Sequence, residues 1–141
     1  MKDAIDRIWE YSHFYGELLS SANQLSQMGY SYAAFLLLFN VIELVCKSLR
    51  GSDKDNVRND ISWLTKQGLY TKEEKEFLSG KNGIRKIRNY MTHRDPYVNY
   101  FVDDNGIIMP LSESTTWDFA YSQYAPKAIC ILSNAIERCN G

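Results

Sequence analysis

Residues 31–50 read SYAAFLLLFNVIELVCKSLR, and this stretch decides the fold. Apolar side chains occur on nearly every side of a helix drawn through it, which is the pattern of a helix surrounded by other helices. Gly51-Ser52-Asp53 follows and predicts where this helix ends. We therefore expect a central helix over about Ser31 to Arg50, with the rest of the chain packed around it.

Amphipathic patterns on both sides of this stretch predict the surrounding helices. In each pattern the apolar residues recur at three- and four-residue steps, so that one face of the helix is apolar. Thr71 and Glu74 have the spacing of a capping box at the start of one of them. The first three predicted helices are 5–28, 31–50 and a short one around 57–64. The fourth runs from Thr71 to about Asp95, with a kink at Gly80 or Gly83. The last is capped by Ser114, and Pro126 within it implies a kink or a fresh start.

After Pro96, which ends the fourth predicted helix, the pattern changes to short extended runs. These runs are joined by Asp103-Asp104-Asn105-Gly106, whose Asn-Gly step favours a tight turn. We expect a small β-hairpin or an irregular insertion near 97–110, and we adopt the hairpin. The predicted fold class is all-α: an antiparallel up-and-down bundle of four to five helices with this hairpin inserted, in a single domain over residues 1–141.

Composition limits the classes of function. The 141 residues carry a formal net charge of −1, so attraction to nucleic acid has to come from a local patch. The N-terminus is charged from Lys2 and lacks the apolar run of a signal peptide, while the apolar run from Tyr32 to Cys46 is shorter than the about 20 residues of a bilayer span. We expect a cytoplasmic protein with no membrane contact, whose three cysteines are reduced and buried, with Cys46 and Cys130 in core patterns.

The fourth predicted helix separates polar from apolar side chains. Arg88 lies at the margin of the apolar face, so its stem can be buried while its guanidinium reaches a carboxylate inside the bundle. Helical spacing places Asn82, Arg85, Lys86, Asn89 and His93 on one face, opposite Ile84, Ile87 and Met91.

The central helix contains a polar seam, because Asn40, Glu43 and Lys47 follow one another at i, i+3 and i+7. A carboxylate on an otherwise apolar helix requires a partner. Lys47 stands one turn after Glu43 in the favourable order, and Arg88 of the fourth helix is the other candidate. The sequence leaves both partners open.

Residues 88–93, Arg-Asn-Tyr-Met-Thr-His, match the motif of an Arg, four to six residues and a His that marks HEPN domains, including the polar residue directly after the Arg. Ile84-Arg85-Lys86-Ile87 resembles the run of that family into the motif, and Ala34 to Leu49 resembles its second helix. The chain therefore resembles the HEPN family.

That resemblance implies a metal-independent endoribonuclease without a cofactor, in which the motifs of two protomers meet at a homodimer interface. In this chemistry His93 exchanges a proton with the ribose 2′-hydroxyl or the leaving 5′-oxygen, and Arg88 stabilises charge on the phosphate. Asn89 orients the imidazole or binds phosphate, and Glu43, with Asn40 and Lys47 beside it, holds Arg88. The expected RNA contacts are Lys81, Arg85, Lys86 and Arg94. The family often acts in defence or in toxin–antitoxin pairs, which makes an antitoxin protein a further expected partner.

Other functions fit parts of the same sequence. A non-catalytic HEPN module would bind a nucleotide or a partner protein through the same helices, and in a plain interaction domain Arg88 would pair with Glu43 for structure only. Glu10 and His13 have the spacing of a di-iron ligand pair but lack the second pair such sites need, so no metal is expected. Tyr97, Tyr100 and Phe101 are candidates for stacking on a base or gripping a partner.

Overall fold

The structure, a computed structural model, describes residues 2–93, 100–102 and 105–141. The described residues form an all-α fold with a small antiparallel hairpin, which confirms the predicted fold class. The elements in chain order are α1 (Lys2–Tyr11), α2 (His13–Gln27), α3 (Ser31–Arg50), α4 (Val57–Lys66), α5 (Lys72–Ser79), α6 (Ile84–His93), β1 (Tyr100–Val102), β2 (Ile108–Pro110) and α7 (Ser114–Asn140).

Helix α3 occupies the centre, as its sequence predicts. It packs against α2, α4, α6 and α7, and Phe35, Leu38 and Ile42 along it are fully buried. Gly51 ends the helix with a φ of 77°, a left-handed conformation that suits glycine. Because neighbours cover α3 on several sides, it determines where the other helices lie.

The 20 residues of α3 make it long and apolar enough to span a bilayer by length and composition. The prediction that this apolar segment is too short is therefore wrong for the helix as a whole, because the helix extends beyond Tyr32 and Cys46 at both ends. In this fold its buried residues instead form the protein core.

The first predicted helix, 5–28, is two helices. Ser12 has an extended backbone, and its hydroxyl accepts a hydrogen bond of 3.3 Å from the Tyr15 backbone N–H, which caps α2. Gly16 lies against Trp9 so closely that an added Cβ would stand 2.6 Å from the Trp9 Cδ2 atom. The break at Ser12 is one reason why the described residues contain seven helices where four to five were predicted.

The hairpin is present and its strands pair Tyr100 with Pro110, Phe101 with Met109 and Val102 with Ile108. Residues 94–99 and 103–104, which include the start of the predicted hairpin, the predicted stop at Pro96 and part of its turn, lie outside the described residues. Phe101 points inward and meets the Trp117 ring edge-on, with the centroids 5.6 Å apart.

The end of the hairpin is fixed to the start of α7. Glu113 precedes this helix without a side-chain cap, so the predicted capping by Ser114 is wrong. The Thr116 hydroxyl donates to the Pro110 carbonyl at 2.6 Å, and the Trp117 indole N–H donates to the Leu111 carbonyl at 2.8 Å. These two bonds anchor β2 on α7.

Helix α7 continues through Pro126 without a fresh start. The carbonyl that loses its helical partner there belongs to Ser122, which is exposed. The face of this helix also differs from the prediction, because Cys130 and Cys139 are exposed and Cys46 alone of the three cysteines is buried.

Candidate functional site

Helix α6 carries the motif, and a turn of glycines sets its start. The fourth predicted helix is interrupted here: α5 ends at Ser79, and the Gly83 N–H bonds back to the Gly80 carbonyl at 3.0 Å. A Cβ on Gly83 would stand 2.7 Å from the Phe77 carbonyl oxygen, so the turn closes only with glycine at this position. The predicted kink is thus a full separation into α5 and α6.

The two faces of α6 agree with the helical spacing of the sequence. Ile84, Ile87 and Met91 are buried against the core, at 0%, 8% and 8% exposure. The Tyr32 hydroxyl of α3 donates to the Met91 carbonyl at 2.9 Å and ties the two helices together. The opposite side of α6 therefore faces away from the core.

Arg88 is the partner of Glu43. Its Nη2 atom lies 3.5 Å from the Glu43 Oε1 atom, and the centre of its guanidinium lies 5.2 Å from the centroid of the Phe39 ring. The two charged side chains keep 33% and 27% of their surface exposed. The Arg88 side chain thus spans from α6 to α3 and remains partly exposed to solvent.

Lys47, the other candidate partner of Glu43, is used elsewhere. Its ammonium lies 2.8 Å from a carboxylate oxygen of Asp60, and Arg50 lies 3.0 Å from the other oxygen of that carboxylate. Asp60 has no exposed side-chain surface, so α3 and α4 are joined by a buried carboxylate between two cations. Bonding to Asp60 raises the pKa of Arg50 above its ordinary value. Asn40, the third member of the seam, is exposed.

The outer face of α6 borders a groove formed with α4 and α5, of about 660 Å³. Five cationic side chains and one anionic side chain, Glu76, line it, and we call it the cationic groove. Three predicted RNA contacts and one predicted catalytic residue line this groove, together with two cationic side chains that the sequence analysis did not name. They are Lys81, Arg85, Lys86 and Asn89, with Arg58 of α4 and Lys75 of α5.

His93 is the last residue of α6, and the described structure gives its backbone but not its side chain. Helical spacing places it one turn from Asn89 along the same side. Arg94 lies outside the described residues. Arg88 does not line the cationic groove, because it points toward α3 rather than toward α4 and α5.

A second groove, between α6, the hairpin and α7, measures about 680 Å³. Phe119 and Tyr124, both from α7, were missed as candidates because their spacing in the sequence resembles that of core residues. Tyr100 and Phe101 of the hairpin, which were predicted as candidates, line it with them. We call it the aromatic groove, after its five aromatic side chains: Tyr90, Tyr100, Phe101, Phe119 and Tyr124.

Cysteine and metal chemistry find little support in the described residues. The Cys46 thiol contacts the Tyr70 hydroxyl at 3.1 Å, and burial raises the pKa of this thiol to about 12, so it stays protonated and is a poor nucleophile. His13 is exposed, with its ring 5.5 Å from that of Trp9. Within residues 2–93, 100–102 and 105–141 there is no group of three or more His, Cys, Asp or Glu side chains that could hold a metal ion.

Comparisons with protein-family models, with curated proteins and with solved structures gave no match. The described residues of the site comprise a partly exposed Arg88 held by Glu43 on α3, and a cationic groove along the adjoining side of α6.

Proposed function

We propose that this chain is a metal-independent endoribonuclease of HEPN type that acts as a homodimer, with Arg88 and His93 of each protomer in one composite site. The observation that carries the proposal is the contact between Arg88 and Glu43. The Arg88 guanidinium lies between the Glu43 carboxylate and the Phe39 ring, which hold it in position, and 33% of the Arg88 side chain remains exposed. A cation that is held in position and remains partly exposed suits a phosphate whose charge grows during the reaction.

The cationic groove supports RNA as the substrate. The formal net charge of the chain is −1, so the excess of cations in this groove is a local feature of the kind that phosphate binding requires. Asn89, the residue after Arg88, lines the groove, so a strand bound there would pass beside the motif. Lysine and arginine neutralise backbone phosphates without reading sequence.

The proposed reaction needs a base, an acid and a stabilising cation. The His93 imidazole of one protomer takes the proton of a ribose 2′-hydroxyl, whose oxygen attacks the adjacent phosphorus. The bond from phosphorus to the 5′-oxygen breaks, and the 5′-oxygen receives a proton from the partner's His93. The products are a 2′,3′-cyclic phosphate and a 5′-hydroxyl, while Arg88 stabilises the charge on the phosphate oxygens. A defence or toxin role, with an antitoxin partner, is part of the same proposal.

The test is cleavage of a mixed labelled RNA pool in excess EDTA by the wild-type protein and by the variants His93→Ala and Arg88→Ala. His13→Ala and Arg7→Ala are matched controls, because His13 is exposed on α2 and Arg7 pairs with Glu137 at 3.0 Å outside the site. Cutting that leaves cyclic phosphate ends, persists in both controls and is lost in both site variants supports the proposal. A wild-type protein that does not cut, or site variants that cut like the controls, overturns it.

A non-catalytic module that binds a nucleotide or a partner protein is the second candidate. The contact between Arg88 and Glu43 also favours this candidate, because Arg88 already has a carboxylate and an aromatic ring as partners within the bundle and can serve the fold alone. In that case the purified protein binds RNA or nucleotide without cleaving it, and Arg88→Ala lowers the stability of the fold.

A further inference from the structure

The aromatic groove joins the cationic groove at one residue. Lys86 of α6 lines both, so its side chain stands on the ridge between a surface that suits phosphate and a surface that suits a flat apolar ring. The volume of the aromatic groove, about 680 Å³, lies within the range of about 300 to 1,000 Å³ typical of small-ligand sites.

Some rings of the aromatic groove are packed against other rings, and others are exposed to solvent. Phe101 is held edge-on by Tyr90, at 6.3 Å between centroids, and by Trp117 from the core. Tyr100 of β1 and Phe119 of α7 keep 58% and 42% of their surface exposed. Two exposed aromatic rings that line one groove from different elements provide stacking surface for a planar ligand.

Amide side chains complete the lining. Asn82, next to the glycine turn, and Gln123 of α7 both line the aromatic groove. Each amide carries donors and an acceptor, the combination that reads the edge of a nucleobase. Aromatic faces, amides and an adjoining row of cations together match the parts of a nucleotide.

We propose that the chain binds single-stranded RNA with one unpaired base in the aromatic groove and the neighbouring backbone phosphates in the cationic groove, with Lys86 between them. The inference rests on the proposed function in taking this strand to be the ribonuclease substrate. It restricts that substrate to unpaired RNA, because a base in a duplex is stacked and paired and cannot present its face to Tyr100 or Phe119.

The experiment measures the Kd of a fluorescent single-stranded RNA oligonucleotide, with the His93→Ala protein used throughout so that cleavage does not interfere. This Kd is compared with the Kd of an oligonucleotide of the same length with abasic riboses and with the Kd of the same RNA as a duplex. Phe119→Ala and Tyr100→Ala are added to this background. Phe14→Ala and Tyr30→Ala are their controls, since Phe14 and Tyr30 are exposed by 58% and 59% and line neither groove.

We expect each aromatic-groove variant to raise the Kd of the single strand by about 5- to 150-fold, and the abasic strand to bind the parent protein more weakly by a similar factor. The two control variants should bind like the parent. Equal binding of the abasic strand, of the duplex, or of the Phe119→Ala and Tyr100→Ala variants overturns the inference.

The two proposals fail separately. If wild-type protein cuts RNA but the aromatic variants bind normally, the base site is wrong and the ribonuclease stands. If single-stranded RNA binds with the expected dependence on bases but nothing is cut, the base site stands and the catalytic proposal is wrong.

Discussion

Arg88 of α6 and Glu43 of α3 form an ion pair, with 3.5 Å between Nη2 and Oε1, and both side chains remain partly exposed. An ion pair of this exposure contributes about 0 to 1 kcal/mol to stability, because water screens the charges. Its contribution to the fold is therefore small, and its larger effect is to determine where the guanidinium of Arg88 points.

Glu43→Gln should separate these two effects. The variant keeps the size of the side chain and loses its charge, so we expect the free energy of unfolding in urea to fall by no more than about 1 kcal/mol. The rate of the proposed RNA cleavage by the folded variant should fall strongly even though the variant stays folded, because Arg88 loses the group that orients it. Glu137→Gln, which breaks the exposed pair with Arg7, is the control and should leave cleavage unchanged. Equal cleavage by both variants would show that Glu43 does not position Arg88.

Removal of charge from the cationic groove should change how binding depends on salt. Arg85→Ala and Lys86→Ala should each lower the slope of log Kd against log salt for single-stranded RNA by about 0.7, the value for one lost phosphate contact. Lys66→Ala removes the same charge from an exposed position of α4 outside the groove and should leave the slope unchanged. A uniform change in all three variants would point to net charge rather than to the groove.

Asp60→Ala should be the most destabilising single change among the ion pairs discussed. The carboxylate is fully buried and accepts bonds from Lys47 and Arg50, so its loss leaves two cations without their common partner. We expect a loss of about 3 kcal/mol in urea unfolding, since both cations still reach solvent. Asp55→Ala, which removes the more exposed partner of Arg50, is the control and should cost less. A smaller loss for Asp60→Ala than for the control would contradict the assigned role.

Glu74 should make the free energy of unfolding depend on pH in the acidic range. Burial raises the pKa of Glu74, but bonds from the Arg138 guanidinium and the Thr71 backbone N–H outweigh it and hold the pKa below the ordinary value of 4.5. A lowered pKa in the folded state contributes stability above the unfolded pKa, and this is lost as pH falls through the folded pKa.

Denaturant unfolding of wild type and Glu74→Gln from about pH 6 to about pH 3 tests this assignment. The difference in unfolding free energy between the two proteins should be largest at the upper end of this pH range and shrink below pH 4.5. A difference that stays constant across this range would mean that Glu74 does not titrate with folding.

The three cysteines should react at two different rates. Cys130 and Cys139 are exposed and should react quickly with a thiol reagent in native buffer, whereas burial raises the pKa of Cys46 to about 12 and keeps it protonated. The double variant Cys130→Ser, Cys139→Ser should react only after denaturation. Fast reaction of that variant in native buffer would place Cys46 at an accessible position.

Patterns within one helix were predictable because they depend on a few residues. The apolar stretch 31–50 predicts a central helix, and Thr71 with Glu74 predicts a capping box that the structure contains. The position of Arg88 at the margin of the apolar face likewise predicts that its side chain turns toward the bundle, but it does not identify the carboxylate that Arg88 meets. All three depend on spacing along one helix, which the sequence gives directly.

Pairings between helices were not predictable in the same way, because they depend on how each helix is rotated and how closely it approaches its neighbour. Glu43 had two candidate partners. Lys47 pairs with Asp60 of α4 instead, and Glu43 pairs with Arg88. Cys130 has the spacing of a core residue, yet the rotation of α7 leaves it exposed.

By itself, then, the sequence determined a helical fold around residues 31–50, the polar face of α6 and the short hairpin. Only the tertiary structure decided that Arg88 binds Glu43, and that Arg58 and Lys75 join Arg85 and Lys86 in one groove. The physical reason is that helical periodicity is a property of neighbours in the chain, whereas a groove or an ion pair between helices forms from residues that only packing brings together.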